Sequence, residues 1–165
     1  MLKNMSTKKK LFLFPVLFVL IVVVSAFIYK HYSNMANTRN YVAITTDEFI
    51  QQLLKGRISI YQFLRNPNEE NRQKAISIFE SLHKNVTNLK PTLTIQKNID
   101  LCNAIMSSTK DYIHDFEIVA SIIMINHKNG IEKDTQELKD TISKMAQTGT
   151  IVENEIKEIN EAATL

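Results

Sequence analysis

The sequence predicts an all-α protein with one N-terminal transmembrane helix followed by an antiparallel four-helix bundle. Three observations carry this. An uncharged apolar run of 19 residues extends from Leu11 to Tyr29. Most of the remaining chain repeats its apolar residues at steps of three and four, the signature of helices packed on one another. Three glycines and three prolines among 165 residues leave little turn chemistry for a strand-rich fold. The predicted organisation is a basic tail at 1–10, a transmembrane helix at 11–29 and a helical-bundle domain at 30–165.

At 1.5 Å per residue the apolar run spans roughly 28 Å, close to the hydrocarbon thickness of a bilayer. Pro15 lies in its first turn, and Tyr29, Lys30, His31 and Tyr32 give its far end an aromatic and basic boundary. A cleaved signal peptide is the competing reading, since Val24-Ser25-Ala26 has small residues at peptidase spacing. Phe27, Ile28 and Tyr29 continue the apolar helix past that point, which favours an anchor. Lys3, Lys8, Lys9 and Lys10 precede the run while only Lys30 and Arg39 follow it closely, so the N-terminus is expected in the cytoplasm and the bulk of the chain outside. Residues 31–165 carry 15 basic against 17 acidic side chains, so the net charge of +3 belongs to the membrane flank and gives no reason to expect nucleic acid as a partner.

The first bundle helix is expected over Tyr32–Leu64, on the series Tyr32, Met35, Val42, Phe49, Leu53, Ile60, Phe63. A second series one position round, Ala43, Ile50, Leu54, Tyr61, Leu64, predicts two neighbours for this helix. Asn66 is expected to cap the next helix, with Pro67 in its first position and Glu69 and Glu70 facing its N-terminal dipole. That second helix buries Ala75, Phe79, Leu82, Val86 and Leu89 and ends before Pro91. The third carries Ile95, Ile99, Cys102, Met106, Thr109, Ile113, Phe116, Ala120 and Ile123, and its register fails at Asn126–Gly130, where a turn is placed. The fourth follows Leu138, Ile142, Met145, Gly149, Val152, Ile156, Ile159 and Ala163, with Gly149 as a small seam residue. The pattern stops at Thr164-Leu165 with no second apolar run, and the sequence reads as a fragment.

No Gly-x-Ser-x-Gly, His-Glu-x-x-His or phosphate-binding glycine loop is present, so no enzyme and no cofactor are expected. Asp111, His114 and Asp115 share a helical face that suits a weak metal site or, more simply, a solvated polar surface. Cys102 reads as a small core hydrophobe. Arg57 is the informative residue. It lies between Leu54 and Tyr61 in the second apolar series, so its guanidinium needs a partner: an acidic side chain of a neighbouring helix, or the carboxylate of a small ligand. Arg39 is expected at the membrane-proximal seam, and Arg65 and Arg72 in solvent beside the Asn66 turn.

The order of features now resembles a known family. The start Met5-Ser6-Thr7-Lys8-Lys9-Lys10-Leu11-Phe12-Leu13-Phe14-Pro15, one transmembrane helix and an all-helical exterior are similar to the N-terminal part of bacterial methyl-accepting chemotaxis proteins. Leu53 to Asn66 resembles the first-helix pattern of their four-helix-bundle and helical bimodular sensor regions, and Met145 to Gly149 their Met-x-x-x-Gly. The resemblance implies a homodimeric periplasmic sensor in the inner membrane, with Arg57 and Tyr61 as ligand-binding residues. It implies as partner a small carboxylate or amino acid, or a periplasmic binding protein. The second transmembrane helix, HAMP linker and cytoplasmic coiled coil of that family are missing here. Sensor histidine kinases and diguanylate cyclases carry similar exteriors, so the output is open. A membrane-anchored adaptor and a secreted helical binding protein released at Ala26 are the alternatives.

Overall fold

The computed structural model describes residues 7–131 and 135–164, with side chains from 13 to 131 and from 135 to 162. Lys3 and the side chains of Lys8 to Lys10 and Ala163 lie outside this range. Among the described residues the structure is all-helical: α1 (Thr7–Arg65), α2 (Glu69–Leu89), a 3-10 turn (Lys90–Thr92), α3 (Gln96–Lys128) and α4 (Gln136–Thr164).

The expected anchor and first bundle helix are one element, because no glycine or second proline interrupts α1 between Pro15 and Gly56. The helix also starts at Thr7, which places Pro15 inside it rather than in its first turn. The chain divides into two compact units, 1–39 and 40–165. In the first, every side chain from Leu13 to Tyr32 is exposed, and the mean hydropathy reaches 2.4. By length and composition this part of α1 suits a bilayer crossing. Tyr32 and Met35, expected in the seam, are exposed, and so is Arg39.

In the second unit successive helices meet in opposite senses. Gln62 and Gly56 of α1 meet Lys74 and Phe79 of α2. Arg72 and His83 of α2 meet Glu117 and Met106 of α3, and Ser108 and Asp115 of α3 meet Glu155 and Lys144 of α4. Asp47 and Arg57 of α1 meet Asn160 and Glu153 of α4. Phe63 and Phe116 join α1 to α3 edge-to-face, with centroids 5.5 Å apart.

The buried edge of α1 is Val42, Thr46, Phe49, Leu53, Gly56, Ile60, Phe63, an unbroken alternation of steps of four and three. Hydrophobicity alone missed Thr46 and Gly56. The hydroxyl of Thr46 donates to the carbonyls of Val42 and Ala43, so it is buried without an orphan donor. The second expected series fails on the outside: Leu54 is 50% exposed and Tyr61 71%. Asn68, not Asn66, caps α2, its side-chain oxygen accepting from the Asn71 backbone N–H at 2.8 Å, and Pro67 precedes the cap.

The seam of α3 is turned by one position relative to the expected series. Cys102, Thr109, Phe116 and Ala120 are buried as expected, but Ile105, Tyr112 and Val119 are buried with them, while Ile99, Met106, Ile113 and Ile123 are half-buried and Ile95 is the exposed cap residue. Tyr112 accounts for the rotation, packing its ring edge-on to Phe79 at 4.7 Å. Helix α3 ends in a Schellman turn: the N–H of Ile131 donates to Asn126 and that of Gly130 to His127, with Gly130 at φ +66°. The fourth series holds, with Leu138, Met145, Gly149, Val152, Ile156 and Ile159 all buried. At the start of α4 the Thr135 hydroxyl accepts from the backbone N–H of Leu138.

Candidate functional site

Arg57 reaches across the α1–α4 seam, as its place one turn past the buried Leu53 dictates. Its Nη1 donates to Glu153 Oε2 at 2.7 Å and its Nη2 to the carbonyl of Gly149 at 2.8 Å. Both groups of the ion pair are about a quarter exposed. The partner left open by the sequence is thus an acidic side chain of α4. Glu153 is also held by Lys157, whose Nζ donates to Oε1 at 2.6 Å. The Lys157 and Arg57 hydrogen bonds, in that order, keep the Glu153 carboxyl below the usual range.

Gly149 makes room for the Tyr112 ring and leaves Arg57 Nη2 at ordinary contact distance. A Cβ there would stand 2.9 Å from Tyr112 Cε2 and 3.5 Å from Arg57 Nη2. The Tyr112 phenol therefore lies beside the guanidinium; burial pushes its pKa up and the Arg57 charge opposes that. Together these groups edge a cleft of about 290 Å³ whose walls include Leu64, Ile142, Met145 and Tyr61. Tyr61 lines the opening with its ring largely in solvent. Of the expected site residues, the structure brings Arg57 and Tyr61 to one cleft. Glu153, Lys157 and Tyr112 were not foreseen. The signal available for two of them was the i,i+4 Glu153–Lys157 pair flanking the buried Val152–Ile156 edge.

A second cleft, about 480 Å³, lies between α3 and α4. Asp115, only 2% exposed, accepts from Lys144 Nζ at 2.7 Å and from the Thr148 hydroxyl at 3.0 Å. Asp115 is therefore part of the helix seam and not of a solvated face, while Asp111 and His114 stay exposed. Ser108 hydrogen-bonds Glu155, whose pKa is raised because burial outweighs that bond. Among the described residues no group of three or more His, Cys, Asp or Glu is placed to hold a metal. Arg72 is less solvated than expected, pairing with Glu69 and Glu117. Cys102 is fully buried, its thiol pushed up to about 11. Comparison with protein-family models, with curated proteins and with solved structures returns no match.

Proposed function

We propose that the chain is the ligand-binding sensory module of a bacterial chemoreceptor. In this reading residues 11–29 anchor it in the inner membrane with the N-terminus cytoplasmic, and the periplasmic helices form a four-helix bundle that pairs with a second copy. The observation that carries the proposal is the partly buried guanidinium of Arg57, set between the first and last helices in a cleft with an apolar wall. A small anionic solute held there contacts both helices, so it favours one packing of α1 against α4 over another. In an intact receptor a small shift of α4 relative to α1 is then the signal that crosses the membrane.

Thermal-shift screening of the full chain with carboxylates and amino acids, repeated on Arg57→Ala, tests the site. The wild type should be stabilised by an anionic solute, and the variant should lose roughly 1.5–3 kcal/mol of affinity, the scale of a charge-assisted hydrogen bond. The apo variant should be destabilised by less than about 1 kcal/mol, because Glu153 retains Lys157 and the pair is partly solvated. A wild-type shift that persists in Arg57→Ala removes this residue from the site.

An adaptor with no small-molecule ligand is favoured by one feature, the exposed apolar side chains Ile44, Leu54, Ile58 and Tyr61 on the outer side of α1. In the sensor reading this stripe is where the second copy packs. The two readings part on the screen above and on the frame downstream of Leu165, where a receptor encodes a second apolar run and a HAMP segment.

A further inference from the structure

The charges around Arg57 specify what kind of anion the cleft takes. Arg57, Glu153 and Lys157 form a chain of two cations sharing one carboxylate, a net single positive charge, with Arg57 and Glu153 in the cleft wall and the half-exposed Lys157 just outside it. An anion that takes the Arg57 fork must displace Glu153 Oε2 from Nη1 and, where it binds both nitrogens, share Nη2 with the Gly149 carbonyl or displace it. Glu153 is not stranded by this exchange, since its Oε1 already accepts from Lys157. With one added negative charge the four groups sum to zero. A dianion overshoots, setting its second carboxylate near Glu153 in a partly desolvated cleft. A zwitterion leaves the charge uncompensated.

The remaining wall is mostly apolar, with Ile60, Leu64, Ile142, Met145 and Ala146; it also holds Thr150, whose hydroxyl donates to the Ala146 carbonyl and which carries no charge. It offers a hydrocarbon body favourable burial and a second charge no partner. At about 290 Å³ the cleft is at the small end of ligand sites and equals the volume of roughly ten waters.

We propose that the cleft takes a monocarboxylate with an apolar aliphatic or aromatic body of about eight to ten non-hydrogen atoms, which binds by displacing Glu153 from Arg57. The inference rests on the sensor reading of Arg57 and narrows its ligand class. In the empty cleft the Arg57–Glu153 pair is one of the α1–α4 contacts, beside Asp47–Asn160 and Arg57–Gly149, and it is the one the ligand replaces.

Calorimetric titration of the full chain in detergent micelles tests this with hexanoate and benzoate as monoanions, succinate as dianion, leucine as zwitterion and hexanol as the neutral control for micelle partitioning. The wild type should bind hexanoate or benzoate at least tenfold more tightly than the other three, and Arg57→Gln should lose that preference. In Glu153→Gln the competing carboxylate is gone and the local charge is +2. Monoanion affinity should rise, and succinate should gain at least tenfold. A gain of affinity cannot come from misfolding. An Arg57-dependent preference of the wild type for succinate or leucine overturns the monocarboxylate class and leaves the sensor site standing. Silence from every probe in both the wild type and Glu153→Gln overturns both readings, whereas binding that is unchanged in Arg57→Gln overturns the exchange at this cleft and removes Arg57 from the site.

Discussion

Replacing Gly56 by Ala sets two calculable effects against each other. Helix propensity alone favours Ala over Gly by about 1 kcal/mol at an interior position. The packing opposes it, because a Cβ on Gly56 would stand 2.4 Å from Phe79 Cζ and 2.6 Å from Cε2. Carbon atoms at optimal contact are about 3.5–4.0 Å apart, so ring or helix must retreat by roughly 1 Å. Phe79 has little room to yield, being 1% exposed and edge-on to Tyr112 at 4.7 Å. Overpacking of this kind costs about 1–3 kcal/mol, so Gly56→Ala should destabilise by up to about 2 kcal/mol net. In a Phe79→Leu background the ring is gone and the same substitution should stabilise by about 1 kcal/mol. Urea unfolding of the four chains of this cycle in detergent, followed by helical circular dichroism, should therefore give a coupling of about 1–3 kcal/mol and a change of sign. A Gly56→Ala protein more stable than wild type, or an effect indifferent to Phe79→Leu, refutes the close approach of α1 to α2.

Phe116→Ala, which removes a fully buried ring and its edge-to-face partner contact with Phe63, should cost roughly 3–5 kcal/mol by the same unfolding measurement. The pH dependence of melting should separate two glutamates of α4. The folded pKa of Glu155 is raised from 4.5, so its ionisation costs stability above the folded value and nothing below 4.5; Glu155→Gln should raise the melting temperature at pH 7 and lose that advantage toward pH 4. The Glu153 value is lowered from 4.5, so Glu153→Gln should lower the melting temperature at pH 7, with the deficit vanishing as pH falls through the folded value. A periplasm-specific reporter fused after Leu165 should be active, and activity only from a cytoplasmic reporter overturns the orientation drawn from the lysine flank. Ile58→Cys, on the outer stripe of α1, should form a disulfide between copies under mild oxidation in membranes, and a chain that stays monomeric on a non-reducing gel removes the second copy from that face.

Legibility in the sequence followed how far each helix edge is purely aliphatic. The α4 edge from Leu138 to Ile159 is the most legible, because apart from Gly149 it consists of aliphatic and Met side chains, all buried except the half-buried Ile142. The α1 edge was half-read: Thr46 and Gly56 carry no hydrophobic signal, yet one is satisfied by its own helix carbonyls and the other leaves space for an aromatic ring. In α3 two interleaved apolar heptads share Cys102, Thr109 and Phe116, and only tertiary contacts decide that Ile105 and Tyr112 lie deeper than Met106 and Ile113, while Val119 and Ala120 are both fully buried. Tyr112 tips that choice, and a phenol counts weakly in any hydrophobic tally.

Arg57 was legible as a charge in need of a partner, whereas Glu153, 96 residues away, was not. No local pattern pairs residues that meet only when α4 returns along α1. The geometry that results also removes the conflict between a structural and a ligand-binding role for Arg57. A guanidinium with no partner would make the empty cleft costly, and one locked to a fully buried carboxylate would admit nothing. Glu153 is about a quarter exposed and tethered a second time by Lys157. The pair is therefore weak enough to exchange, and the carboxylate it releases keeps a cation. For the proposed anion exchange, that sharing of one carboxylate between two cations is the property that matters, and the Glu153→Gln titration measures it directly.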